Sequence, residues 1–140
     1  MVVVVQQADF DLNQEYQTLI EGNQTDGAVV TFCGLVRDFN QGHEIIGLTL
    51  EHYPAMTLKA LEKIEAEARE RWTLGRVTII HRVGDLDLGD QIVFVGVSSR
   101  HRKDAYAASQ FIMDTLKTDA PFWKKERTTT GPRWVESEMR

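Results

Sequence analysis

Three lysines and two large aromatics crowd into Leu116-Lys117-Thr118-Asp119-Ala120-Pro121-Phe122-Trp123-Lys124-Lys125-Glu126. An ammonium in water keeps its proton at neutral pH. One that is partly desolvated, or crowded by a second cation, can release it and act as base or nucleophile. Pro121 cannot continue a helix, so Lys117 belongs to a last helical turn and the residues after Pro121 to a strand. On that strand Phe122, Lys124 and Glu126 share one face and Trp123, Lys125 and Arg127 the other. Adjacent Lys124 and Lys125 therefore point opposite ways, and only one of them can enter a pocket with Lys117. Taken alone, Lys117 also fits a simpler role, complementing the helix dipole and meeting terminal carbonyls. Glu126 either orients the Lys124 ammonium or forms a surface pair worth under about 1 kcal/mol.

A second cluster, Arg100-His101-Arg102-Lys103, opens the same helix. Positive charge is disfavoured there, because the macrodipole already places about half a positive charge at a helix N-terminus. An anion would relieve the repulsion, and free N–H groups with an arginine fork and an imidazole suit phosphate or carboxylate. The alternative is that these side chains splay into solvent and pair with acids such as Asp104. At about 1.5 Å per residue, roughly 24 Å of helix separates His101 from Lys117. If both serve one pocket, a long substrate bridges them or a second copy of the chain supplies one end.

The elements that must carry these residues follow from periodicity. Residues 2–5 read as a short strand, and Leu12, Tyr16, Leu19 and Ile20 recur at helical spacing before a stop at Gly22. Residues 27–36 and 44–52 are rich in β-branched and aromatic residues and are expected to pair as a long hairpin across the polar turn 38–43, with His43 in the loop. Pro54 suits the first turn of a second helix with Leu58, Leu61, Ile64, Ala68 and Trp72 on one face; Glu62, Lys63, Glu65, Glu67, Arg69, Glu70 and Arg71 read as its solvated side. Residues 76–83 and 91–98 are two more strands joined through 84–90, and Ser98 or Ser99 is a candidate cap for the third helix. Ala105, Ala108, Ile112 and Leu116 form that helix's buried stripe, with Tyr106, Gln110, Met113 and Lys117 beside it. Residues 122–127 and 133–136 close the chain as a hairpin with a Gly-Pro turn signal. This order predicts an α+β protein with a mainly antiparallel sheet, and disfavours a doubly wound fold.

With 140 residues, 42% apolar and 26% charged, the chain reads as one globular domain over 1–140. The apolar run at residues 2–5 is too short to span a membrane and lacks the basic flank of a secretory signal, so no membrane association and a cytoplasmic location are expected. The formal charge of −5 argues against nucleic-acid binding. It is unevenly spread: residues 100–127 hold seven Lys or Arg against four acids, so a basic patch sits on an acidic body. Cys33 is the only cysteine, which excludes an intramolecular disulfide and a multi-cysteine zinc site. Lying in an apolar run, Cys33 reads as a small buried hydrophobe. A reactive thiol or persulfide carrier would need a cation nearby, and Arg37 is the candidate. His52 and His81 read as core or edge histidines. With no H-x-x-x-H or His/carboxylate cluster, no metal site is expected.

Several stretches in order match one family: Asp26-Gly27-Ala28-Val29-Val30-Thr31-Phe32 with Val36-Arg37; Leu48-Thr49-Leu50-Glu51-His52-Tyr53-Pro54; residues 77–84 and 89–97; His101-Arg102; and Gln110-Phe111-Ile112-Met113 leading to Lys117 and residues 120–126. Together they resemble the large, catalytic subunit of molybdopterin synthase, over nearly the whole chain. The resemblance implies an α/β hammerhead-type fold and a homodimer within a heterotetramer, flanked by two copies of a small ubiquitin-like sulfur carrier. The carrier ends in a Gly-Gly thiocarboxylate whose sulfur goes to cyclic pyranopterin monophosphate, making the molybdopterin dithiolene without a further cofactor. It implies Lys117 and Lys124 as catalytic, Lys117 where the carrier tail arrives. Leu35, Val36, Arg37, His101, Arg102, Lys125 and Glu126 correspond to substrate-binding positions. Where relatives often have Gly-Lys-Val-Arg this chain has Gly34-Leu35-Val36-Arg37, which leaves the backbone rather than a charged side chain for contact at Leu35. Two rivals also account for the basic patch: a non-catalytic module binding a ubiquitin-like tail, and a phosphate-binding module using the helix N-terminus alone.

Overall fold

Local signals start the first two helices and stop the first and third. In a computed structural model, which describes residues 2–40 and 43–135, α1 (Leu12–Ile20) is capped by Asp11, whose carboxylate accepts from Gln14 N at 3.0 Å. Gly22, at φ 66°, then turns the chain away. Helix α2 (Pro54–Arg71) begins on its proline. Helix α3 (Arg102–Asp119) ends just before Ala120-Pro121.

The strands form two sheets. β1 (Val2–Gln6), β5 (Val77–Arg82), β7 (Gln91–Ser99) and β2 (Ala28–Leu35) lie side by side in the order β1-β5-β7-β2. Only the β1–β5 pair is parallel. The second sheet has the order β3-β4-β8-β9, from β3 (Phe39–Asn40), β4 (His43–His52), β8 (Phe122–Thr128) and β9 (Gly131–Val135), with β6 (Gly84–Asp87) also on β4. All of its pairs are antiparallel. The chain is thus α+β with a mainly antiparallel arrangement and a closing β8–β9 hairpin. Glu136, expected in the last strand, and Gln41 and Gly42 of the polar turn lie outside the described residues. One apolar cluster runs through both sheets and both long helices, from Val95 and Val97 to Leu48, Leu50, Leu61 and Ile112.

The fold departs from the sequence expectations at several places. The long hairpin of residues 27–36 with 44–52 does not form: β2 pairs with β7, and β4 with β8 and β6. Strand β7 is buried from Ile92 to Ser99 and needs a partner on each edge; β5 and β2 supply them, so burial outweighs the shorter loop closure. His43 opens β4 rather than sitting in a loop. Ser98 and Ser99 do not cap α3 but complete β7; the N-cap is His101, which makes no side-chain cap bond. Glu65 is not solvated. At 1% exposure it continues the stripe of Leu61 and Ala68, and its Oε2 accepts from Arg69 Nε at 2.8 Å.

The stripe Ala105, Ala108, Ile112 and Leu116 is buried throughout, and Met113 joins it from the adjoining row. Leu58 stays largely exposed, so the buried face of α2 begins at Thr57 and Leu61. His81 is a core residue, its ring stacked 4.0 Å from Phe122; His52 is half-buried at the edge of the same ring. Among the described residues no helix is long and apolar enough to cross a membrane.

Candidate active site

A cleft of about 410 Å³ opens where β2 leaves the first sheet and meets β8 of the second. Its walls are largely apolar: Phe32, Ile45, Leu48, Ile92, Val93 and Met113. Into it project Arg37, Lys117, Lys124 and Glu126, three cations and one carboxylate. Each is aimed by its own element. On α3, Leu116 is locked in the core at 2% exposure and Met113 lies one turn back, which turns Lys117 to the cleft from the last helical turn. On β8, Phe122 and Glu126 are both buried, so Lys124 between them takes the same inward face, half-buried. β8 is held in register by β4, with Lys124 opposite Leu50 and Glu126 opposite Leu48. On β2, the register with β7 slips between Gly34 and Leu35. This irregularity turns Leu35 outward at 55% exposure and Val36 inward at 7%, and delivers Arg37 to the rim. Gly34 is required for the close approach of the two strands, since a Cβ there would stand 2.7 Å from Val93 Cγ1.

Lys117 is exposed in the single chain, so its own fold does not strip its water; partial burial falls on Lys124 instead. Lys125 lies on the other side of β8, its Nζ 5.5 Å from the centre of the Trp134 ring and outside the cleft lining. A narrow cleft with apolar walls and clustered ammonium and guanidinium groups suits a small anionic group drawn out of water, where such charges act strongly on developing negative charge.

His101 and Arg102 stand elsewhere. With Gly27, Arg100, Lys103 and Tyr106 they surround a separate concavity of about 550 Å³ at the N-terminus of α3. All four basic side chains are exposed, and Asp104 is the one acid of the first turn. The length of α3, roughly 24 Å between His101 and Lys117 at about 1.5 Å per residue, separates the two sites. A single chain does not bring them together.

A family model described as MoaE protein matches residues 5–119. The chain belongs to this family. The molybdopterin synthase catalytic subunit of Vibrio cholerae is 60% identical over 135 residues, which cover 96% of this chain and 89% of the relative. The molybdopterin biosynthesis MoaE protein of Burkholderia ambifaria superposes with a TM-score of 0.84 at 51% identity, over 97% of this chain and 89% of that one. Molybdopterin synthase from Staphylococcus aureus gives a TM-score of 0.85 at 36% identity, over 94% of each chain.

In this MoaE-family chain, Cys33 is part of the cleft wall rather than of the deep core, half-buried with Sγ 3.5 Å from Gln91 Oε1. Burial, and then the negative charge of Asp9, push its pKa up, so the thiol keeps its proton at neutral pH. Asp9 itself is held below the usual carboxylate range by the hydrogen bond from Gln91, then by that from Phe10 N, with Arg82 adding to the effect. A neutral thiol is a poor nucleophile and sulfur acceptor. Folded Cys33→Ser protein is therefore expected to retain dithiolene-forming activity within about threefold, the scale of a buried neutral contact; a loss of two orders of magnitude in the same assay would restore the persulfide role. The wall residues Phe32, Ile92 and Val93 become neighbours only through the long-range β2–β7 pairing, and Ile45 reaches the cleft on β4, which pairs with β8, so no local sequence signal marks them together.

Proposed function

We propose that the cleft holding Lys117, Lys124, Arg37 and Glu126 is the sulfur-transfer centre of this chain. The chain is a molybdopterin synthase catalytic subunit of the MoaE family, an enzyme of molybdenum cofactor biosynthesis. In the proposed reaction the C-terminal thiocarboxylate of a small ubiquitin-like carrier enters the cleft, and its sulfur bonds to a side-chain carbon of cyclic pyranopterin monophosphate as that carbon's C–O bond breaks, the oxygen leaving as water at one carbon and with the opening cyclic phosphate at the other. The carrier's C–S bond then breaks, and water supplies the oxygen that leaves the carrier as a carboxylate. A second carrier repeats the step to complete the dithiolene.

The single observation that carries this reading is the convergence of Lys117 and Lys124 from two different elements on one apolar-walled cleft. Exposed Lys117 meets the incoming tail; half-buried Lys124 faces the anionic carbonyl and thiolate that develop as sulfur leaves. Arg37 adds a fork for the substrate's pterin or phosphate, and Val36 and Leu35 offer backbone at the rim. The His101–Arg102 concavity is assigned to substrate phosphate, supplied to the lysine cleft by the other protomer of a homodimer. Two carriers flank that homodimer, and the assembly works in the cytoplasm.

The test is reconstitution. Purified protein mixed with thiocarboxylated carrier and cyclic pyranopterin monophosphate is expected to yield molybdopterin by mass spectrometry. Binding of the carrier with no gain of sulfur by the pterin would leave a tail-binding module in place of an enzyme.

A further inference from the structure

The basic cluster at the start of α3 has nothing within its own helix to hold it: the N-cap His101 makes no side-chain cap bond, and Arg100, Arg102 and Lys103 are exposed. Its position comes from the chain just before it. Ser98, next to last in β7, is fully buried, and its hydroxyl donates to Asp26 Oδ2 at 2.7 Å while accepting from Arg76 N at 2.7 Å. The same Asp26 oxygen accepts from Asn23 Nδ2 at 2.9 Å, and Asn23 Oδ1 accepts from Asp26 N at 3.2 Å. Asn23 Nδ2 also reaches Leu19 O at 3.1 Å, which ties the knot to the end of α1. A side chain at Gly75 would collide with the Asp26 carboxylate, so the carboxylate lies directly against that backbone.

This knot joins the two segments that frame the anion concavity. Asp26 precedes Gly27, which lines it, and Ser98 stands two residues before Arg100, which also lines it. Gly27 N donates to Ser99 O at 3.1 Å, and a Cβ on Gly27 would meet the Arg100 carbonyl oxygen at 2.7 Å. The backbones of 27 and 100 are therefore in contact just beyond the Ala28–Ser99 end of the β2–β7 ladder, and the Asp26–Ser98 bond braces that end from the side chains. An ionised acceptor taking two side-chain donors is a stiff joint, stronger than a neutral pair.

We infer that Asp26, acting through Ser98, is a positioning residue for the Arg100–Lys103 anion site: it fixes the distance of Gly27 from the start of α3 without touching substrate. The inference rests on the reading of that concavity as the phosphate site. A site held by a rigid supporting shell loses affinity when that shell loosens, while the reacting end of the substrate, held in the other protomer's lysine cleft, still reacts once substrate is bound.

The test is steady-state kinetics of the assembled synthase with thiocarboxylated carrier, varying cyclic pyranopterin monophosphate, with thermal melting recorded alongside. Asp26→Ala is expected to raise KM for the pterin about tenfold with kcat within about twofold. Ser98→Ala, which removes the bond to Asp26 together with the one accepted from Arg76 N, moves KM the same way and decides the matter if Asp26→Ala fails to fold. Asp26→Asn, whose amide oxygen can still accept both bonds, restores KM to within about twofold of the original. Variants that melt earlier but keep the original KM would overturn the inference and leave Asp26 a purely structural residue. His101→Ala is run in parallel. If it raises KM and the Asp26 variants do not, the positioning role alone fails; if neither changes KM, the phosphate-site reading fails with it.

Discussion

Alanine at Lys124 is expected to slow dithiolene formation by about 10²–10³-fold, the usual consequence of removing one group that stabilises developing negative charge in a water-poor site. Lys124 is the half-buried cation of the cleft, on the inward face of β8 between buried Phe122 and Glu126. Its loss leaves apolar wall where an ammonium should face the departing sulfur. Lys117→Ala is expected to fall by a similar factor, but with a different division: as the exposed lysine of the last α3 turn it meets the carrier tail, so KM for the carrier rises as kcat drops. Lys63→Ala serves as the control. Its ammonium stands on the solvent side of α2, 4.0 Å from Glu67, and turnover should stay within about twofold of the original, as expected for an exposed pair remote from the chemistry. All three are read by single-turnover conversion of cyclic pyranopterin monophosphate with preformed thiocarboxylated carrier. Undiminished turnover in either Lys117→Ala or Lys124→Ala protein would remove that lysine from the catalytic centre.

The choice between Lys124 and Lys125 shows what was legible in advance. Strand alternation alone says that the two point opposite ways, and β8 confirms it in the burial of Phe122 and Glu126. The end of α3 just before Ala120-Pro121 and its stripe from Ala105 to Leu116 are equally readable, because both depend on residues within a few turns of each other. What the sequence hid is long-range. The cleft exists because β2 pairs with β7 across more than fifty residues of chain, and because β8 returns to pair with β4. Local pattern favoured the nearer partner for β2, and nothing local records that β7, buried along its length, draws in strands on both sides. The burial of Glu65 has a related cause: within a run of charges it follows from the width of the α2 contact, which sequence periodicity does not measure. The irregularity at Gly34/Leu35 that aims Arg37 is likewise a product of the β2–β7 register and has no counterpart in composition.

A mixed dimer of Lys117→Ala and His101→Ala chains, assayed with pterin well below the raised KM of the His101→Ala homodimer so that both parents turn over poorly, is expected to recover about half of the wild-type rate, because a two-fold assembly has two equivalent composite sites. The expectation follows from the geometry of α3. Lys117 lines the cleft beneath its C-terminal end and His101 the concavity at its N-terminal end, with roughly 24 Å of helix between them at about 1.5 Å per residue. No single small substrate can be held by the imidazole of one chain while it reacts at the lysines of the same chain. In a two-fold dimer the His101 end of one protomer can face the Lys117 end of the other. Each active site then takes its lysines from one chain and its phosphate ligands from its partner. Pairing the two variants concentrates both defects in one composite site and leaves the other with intact Lys117 and intact His101, so activity returns to one site of two. If each chain instead carried a complete site, every site of the mixed dimer would hold one defect and no rescue would appear. Differently tagged chains, co-expressed and purified through both tags, give the mixed species free of either parent. Its rate relative to wild type distinguishes a shared site from a self-contained one.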